Sequence, residues 1–521
     1  MKIYSNKMIT VLTVLLFLVP KFFYSQEKPV FETASSTYTD PSDMFACDGD
    51  NIYYSKMVKV SGPKPHLFIE KKNMKSMETV FNKELPQYHV FQEMVRRTNP
   101  FVQCFLIKDK VYAFYQYIDN DKDTMYVMLQ TVSSSGEVSD VYNVLKVYTR
   151  NTWASSIIEF SPDKESFLVY PNPASLFISI NPADKFVIDV SPKLYKTSTL
   201  ELIWEKKLNQ FVDKQSSRIR TLKVDNKNNL FALFDEDQST VLNVFQPNSP
   251  TAKKFPELLS SALRCKSSSL KVNKDGDIVF AGIIAEKDID SRGFHNGNTL
   301  FLRVLNTENL SIKLNKDYQF DSDVMNKLSS GISSKKPNSD QKRLGIEPSN
   351  EFTSPAIQEY DGGYYFVTEN IFSDVYAGQM NDKDLVALKV SKDGELKFAT
   401  VIPKYNLESW GQSVKPETFM VNQQLVILFS ENKELAAQKF DEYESVTMAQ
   451  TKGIYGNIIM ATSSDKGDFT KRVLFENVEK SQLYRNAYPP AKDFFYDGNK
   501  IMFTMEDTKA NTIKYTTYKI D

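Results

Sequence analysis

SLKVNKDGDIVFAGI, residues Ser269 to Ile283, is two apolar runs divided by Asn-Lys-Asp-Gly-Asp. A chain reversal there needs positive φ, which glycine and Asx residues adopt at little cost, so the stretch predicts a hairpin of two antiparallel strands. Seven other stretches read the same way. They are MFACDGDNIYYS (Met44 to Ser55), CFLIKDKVYAFY (Cys104 to Tyr115), IIEFSPDKESFLVY (Ile157 to Tyr170) and IRTLKVDNKNNLFALF (Ile219 to Phe234). Beyond Ser269 come AIQEYDGGYYFVTE (Ala356 to Glu369), FMVNQQLVILFSE (Phe419 to Glu431) and DFFYDGNKIMFTME (Asp493 to Glu506).

Most units continue into a second hairpin, as in Thr299 to Leu314, Asp384 to Ile402 and Asn457 to Phe475. Two successive hairpins make a four-stranded sheet of roughly 50 residues with its loops, the size of a propeller blade. The expectation is an all-β fold, a β-propeller of eight four-stranded blades. Seven is the alternative count, should the second or third unit be misread. After its hairpin the last unit offers a single strand, Thr512 to Ile520, while Pro29 to Tyr38 precedes the first unit as an extended segment without a partner. Placing that N-terminal strand at the outer edge of the last blade would close the ring and remove exposed edges.

Composition narrows the function classes. The chain has 521 residues, of which 64 are Lys or Arg and 65 Asp or Glu, for a formal net charge of -1. A nucleic-acid partner calls for a strongly basic balance, so none is expected. Aromatic content of 13%, with 27 Tyr and 36 Phe, suits half-buried strands.

The N-terminus carries a targeting pattern. Lys2 and Lys7 precede the apolar run Met8 to Val19, which Pro20 and Lys21 interrupt. That run is shorter than the roughly 20 residues a helix needs to span a bilayer, so the reading is a cleaved signal peptide over residues 1–25. Cleavage is expected between Ser25 and Gln26, leaving a single propeller domain over 26–521 with insertions near 321–351 and 432–453 and no transmembrane segment. A leader ending in Ser-Gln resembles those of exported Bacteroidota proteins, which implies the periplasm first and the cell surface or exterior second. Three cysteines in an exported chain leave an odd thiol. Cys47 and Cys104 stand at different depths before their turns, so they are read as small packing residues rather than as a pair.

Two short stretches resemble known propeller repeats. FSPDKESFLVY (Phe160 to Tyr170) looks like the Ser-Pro-Asp-Gly turn of Tol-system propellers and peptidases, with Lys164 in place of glycine. SSDKGDF (Ser463 to Phe469) resembles the aspartate box of sialidase-type propellers, with Ser463, Asp465 and Gly467 in place but no Trp after them. Both resemblances imply a turn stapled by an Asp side chain and carry no chemistry.

Catalytic patterns are sparse. The histidines, His66, His89 and His295, fall in separate units, and no HExxH or paired CxxC spacing exists for zinc. Asp119, Asp121 and Asp123 mimic the start of a calcium loop, but Thr124 stands where that loop needs Gly and Gln130 where it needs Glu. No cofactor and no metal are predicted. Asp123-Thr124-Met125 also resembles a Bacteroidota O-glycosylation acceptor, which implies a surface position for Thr124.

Loop lengths give a polarity. In a four-stranded up-and-down sheet, the turns inside the two hairpins fall at one end and the remaining connections at the other. The short turns belong to the first class. The long connections Pro171 to Asp184, Glu286 to Asn298, Asp321 to Glu351, Asn370 to Lys383 and Asn432 to Gly453 belong to the second. Loops on a rigid scaffold are where binding residues concentrate. Candidate interaction residues on that end are Trp153, Trp410, Arg292 and Phe294, together with Phe440 and Tyr443 on one face of a short helix read over Glu434 to Gln450. The resulting expectation is a non-catalytic binding or scaffold subunit whose partners are envelope proteins. The alternatives are an exported hydrolase or lyase acting on a glycan at the channel mouth, and a surface adhesin.

Overall fold

The computed structural model describes residues 31–37, 42–48, 50–58, 65–88, 102–119, 121–149, 154–172, 190–208, 218–236, 239–249, 251–255, 263–286, 297–309, 311–333, 351–374, 379–404, 406–409, 416–431, 457–475, 495–496, 500–507 and 512–519. Among them, seven sheets have four strands and one has six. In chain order they cover 42–84, 102–148, 156–205, 218–255, 263–319, 351–409 and 417–475. The last combines 495–519 with 31–37. Every strand pair in them is antiparallel, and each of the first seven sheets runs up and down through space in sequence order. In the eighth, Phe31–Thr37 pairs with Thr512–Lys519 over its whole length.

The first strands of successive sheets touch one another. Ser42–Cys47 meets Val102–Ile107, and Ser156–Phe160, Arg218–Val224, Leu263–Val272, Ala356–Tyr360 and Glu417–Val421 follow side by side. Sheets that fan from adjacent first strands and stack face to face are the blades of a β-propeller. The apolar clusters lie between consecutive sheets. One joins the first and second, another the second to the fourth, and the series runs on to Ile501 in the eighth. Strands alternate their side chains between two faces, both buried, so the second strands read as nearly continuous apolar runs such as Leu230–Phe234 and Leu425–Phe429. Burying one such side chain contributes about 1.5–3 kcal/mol. Cys47 and Cys104 are half-buried and pack against these clusters.

Several of the hairpin turns share one device. A Ser, Asn or Asp opens the turn, and the fourth residue takes a left-handed backbone. Ser391 Oγ accepts from Glu395 N at 2.9 Å, with Gly394 at φ 85. Asn273 Oδ1 accepts from Asp277 N at 2.7 Å, with Gly276 at φ 80. Where glycine is missing the conformation persists, in Lys164 at φ 59 and Asn228 at φ 64.

Two expectations are corrected, for the connection at 370–383 and for Thr124. The connection read from Asn370 to Lys383 is mostly strand, because Gly363–Asp374 and Gln379–Ser391 extend far past their neighbours. The insertion read near 321–351 opens with a helix, Ser322–Ser333, capped by Asp321 Oδ1 accepting from Val324 N at 2.8 Å. Val324 and Leu328 bury its apolar side against the fifth and sixth sheets, so part of that polar-looking segment is core. Thr124 is buried, and its hydroxyl donates to Lys122 O at 2.8 Å, so it is no surface acceptor. No helix among the described residues is long and apolar enough to cross a membrane.

Candidate functional site

Trp153, Trp410, Arg292, Phe294, Phe440, Tyr443, Ser25 and Gln26 all lie outside the described residues. Two other regions carry arrangements the sequence reading missed.

The first is a crease in the sixth sheet, at the end where its connections lie. The two long strands are flanked on each side by a broken pair of short ones. Glu351–Phe352 and Ala356–Tyr360 border one, and Leu396–Ile402 and Asn406–Ser409 border the other. Pro355 and Pro403 stand at the breaks, where a residue without N–H cannot continue a ladder. The register also shifts between Glu369 and Ile371. Backbone groups that lose ladder partners there find side chains. Glu369 N donates to Thr353 Oγ1 at 3.0 Å, Thr368 Oγ1 donates to Thr353 O at 2.7 Å, and Lys404 N donates to Asp384 Oδ1 at 3.2 Å. At the centre Lys404 Nζ donates to Glu369 Oε1, with both side chains at 0% exposure. Beyond the crease, residues 370–374 and 379–382 project as a hairpin bordered by the two short outer strands.

The seventh sheet repeats the theme. Glu431 closes its second strand and pairs with Lys471 in a nearly dry site, whereas Glu369 lies midway along the longer second strand of the sixth sheet. The signal was present in the sequence, since Thr368-Glu369-Asn370 and Ser430-Glu431-Asn432 both follow an apolar run.

The second region lies on the first strands, at the tight-turn end. In each of the first seven sheets the last residue but one of the first strand lies close to the turn. Going along the chain these are Ala46, Leu106, Glu159, Lys223, Lys271, Glu359 and Met420. Four consecutive sheets, the third to the sixth, therefore present carboxylate, ammonium, ammonium and carboxylate in that order. Lys223 Nζ donates to Glu159 Oε1 at 2.6 Å. Lys271 Nζ donates to Ile357 O at 3.0 Å and lies 3.8 Å from Glu359 Oε1, while Glu359 Oε2 accepts from Lys274 N at 3.0 Å. Burial holds the Lys271 ammonium below the usual lysine range, Glu359 opposes that shift, and the charge of Lys223 adds to it. The two lysines thus tie neighbouring first strands together, Lys223 to the third sheet and Lys271 to the sixth.

Two motif readings change on contact with the geometry. Asp119 Oδ1 accepts from Asp121 N and Lys122 N, both at 3.2 Å, and its other oxygen accepts from Lys122 Nζ, so the calcium-like loop is an Asx turn. In SSDKGDF the stapling group is Ser464, whose Oγ accepts from Asp468 N at 3.1 Å and Lys466 N at 3.2 Å. Asp465 is 91% exposed and reaches Lys389 of the preceding sheet, so the aspartate-box geometry is absent there. In the Ser-Pro-Asp turn, by contrast, Asp163 Oδ1 does accept from Glu165 N and Ser161 Oγ.

No protein-family model matches the chain, and no curated protein matches its sequence. Among solved structures it is similar to a prolyl endopeptidase at 10% identity and a TM-score of 0.40, over 90% of this chain and 55% of that one. The chain thus spans about half of that protein's length. It is also similar to the polysaccharide lyase Uly1, at 9% identity and a TM-score of 0.38 over 80% and 89% of the two chains. A third likeness is to the β-propeller domain of the Trilobed protease from Pyrococcus furiosus, at 11% identity and a TM-score of 0.36 over 84% and 97%. The propeller assignment rests on this chain's own sheet topology.

Proposed function

We propose that this chain is an exported propeller of eight blades, its ring closed where Phe31–Thr37 joins the last sheet, and a non-catalytic binding subunit of the cell envelope. It works in the periplasm after cleavage between Ser25 and Gln26, and it presents its connection end to a partner protein. The observation that carries this reading is the crease of the sixth sheet. A fully buried ion pair is expensive to desolvate and is a poor source of stability. Here it lies at the base of an outgrowth of paired strands, residues 370–374 and 379–382. The opposite end is trimmed and braced from sheet to sheet. Asp163 N donates to Asn226 Oδ1, Asp361 N donates to Gln423 Oε1, and Lys274 pairs with Asp361.

The test is affinity purification of the tagged protein from gently solubilised envelopes, beside a variant in which residues 372–381 are replaced by an Asn-Gly turn. A stoichiometric companion is expected with the native chain and lost with the shortened hairpin. It should be retained by Lys227→Ala, which alters only the braced end. Recovery of the native protein alone, or retention of the companion by the shortened variant, would overturn the reading.

A further inference from the structure

We propose that the turn over residues 246–249 of the fourth sheet, with Trp204 beside it, is a recognition site for a primary ammonium group, which the chain fills with its own Lys206. The inference is independent of the partner-binding end.

Lys206 directly follows the fourth strand of the third sheet, Leu202–Glu205. Its Nζ donates to Ser249 O at 3.1 Å, to Pro247 O at 3.2 Å and to Gln246 O at 3.3 Å. Three carbonyl acceptors match the three N–H donors of an ammonium. Other ammonium groups that reach the next sheet meet a carboxylate, as Lys227 meets Glu308 and Lys274 meets Asp361. Among the described residues the charge of Lys206 is answered instead by these peptide dipoles and by the Trp204 ring, whose centroid lies 6.0 Å from Nζ. Burial holds this ammonium below the usual lysine range, and no carboxylate opposes the shift.

Each half of the site is held by contacts of its own. Ser249 N donates to Gln246 O at 3.2 Å across Pro247, whose ring fixes φ. Ser249 Oγ donates to Thr251 O at 2.8 Å and accepts from Thr251 N at 3.3 Å. Trp204 is buried, and its Nε1 donates to Asn228 O at 3.0 Å. The acceptors are therefore aimed before an ammonium arrives, which lowers the cost of binding one. Carbonyl oxygens accept and never donate, so the guest is a cation that carries N–H rather than an anion.

The probe is n-propylammonium, which supplies the atoms that Lys206→Ala removes beyond Cβ. Urea unfolding of the full chain is followed with increasing propylammonium chloride at constant ionic strength. Lys206→Ala should unfold at lower urea than the native chain, and propylammonium should restore it saturably. At about ten times the dissociation constant, the folded-to-unfolded ratio should rise roughly tenfold. The native chain, its site already filled, should not respond. Tetramethylammonium supplies the charge without N–H, n-propanol the body without the charge and potassium chloride a bare cation, and none should restore the variant. If Lys206→Ala does not fold alone, propylammonium should bring back the circular dichroism spectrum of the folded chain. The proposal is overturned if Lys206→Ala matches the native chain in urea, if propylammonium neither stabilises nor refolds it, if any control acts as well, or if the native chain responds as strongly.

Discussion

Lys404 with Glu369 and Lys223 with Glu159 are the same chemical pair in two settings. The first is sealed at 0% exposure among backbone breaks, while the second keeps 26% and 27% of its side chains in solvent. Burial changes what each pair does to the fold. A sealed pair loses hydration that its mutual attraction barely restores, so its worth lies in the geometry it enforces. A half-exposed pair loses little hydration and contributes little.

The largest effect should come from breaking the sealed pair on one side. Lys404→Met leaves Glu369 buried without its cation, and the expected loss is roughly 3–5 kcal/mol, read as a lower midpoint in urea or heat. The double variant Glu369→Leu with Lys404→Met should recover most of that loss, since a well-packed apolar pair replaces the ionic one. If the double variant stays as unstable as the single, the crease needs the charges themselves. Lys471→Met in the seventh sheet should fall toward the lower end of the same range, because Lys471 keeps 6% exposure against 0% for Lys404.

The contrast also explains which parts of the molecule were legible beforehand. All eight first hairpins announced themselves, because turn chemistry is local: Asn273 or Asp225 accepts from donors two to four residues away, and the sequence displays both ends of the bond. The strands Phe31–Thr37 and Thr512–Lys519 were visible as runs lacking partners. The crease was not, since Thr353, Glu369, Asp384 and Lys404 are scattered over more than fifty positions and meet only through sheet register. The charged residues near the ends of the first strands were hidden for the same reason, as four residues in four units meet only across sheets. Where a motif resembled a known turn, local likeness misassigned the stapling atom by one residue, from Asp465 to Ser464.

That misassignment supplies a middle-sized test of whether being satisfied or merely being near matters. Ser464→Ala removes the acceptor for two backbone N–H groups, and a loss of about 1 kcal/mol is expected in equilibrium unfolding. Asp465→Ala should stay within about 0.5 kcal/mol of the native chain, because it removes a contact between an exposed carboxylate and Lys389. Equal losses in the two variants would restore the aspartate-box reading.

The smallest stability change should come from the first strands. Lys223→Met removes one partner of a pair whose side chains are about a quarter exposed, and the remaining Glu159 can draw on solvent. The expected loss is about 0–1 kcal/mol, and it should shrink further as salt is added, since screening acts on exposed pairs far more than on sealed ones. Lys404→Met should show no such salt dependence. A loss at Lys223 as large as that at Lys404 would mean that the Lys223–Glu159 pair is a structural brace, and the distinction between the two lysines would collapse. A near-zero loss that persists in high salt leaves Lys223 as a charge the fold can do without.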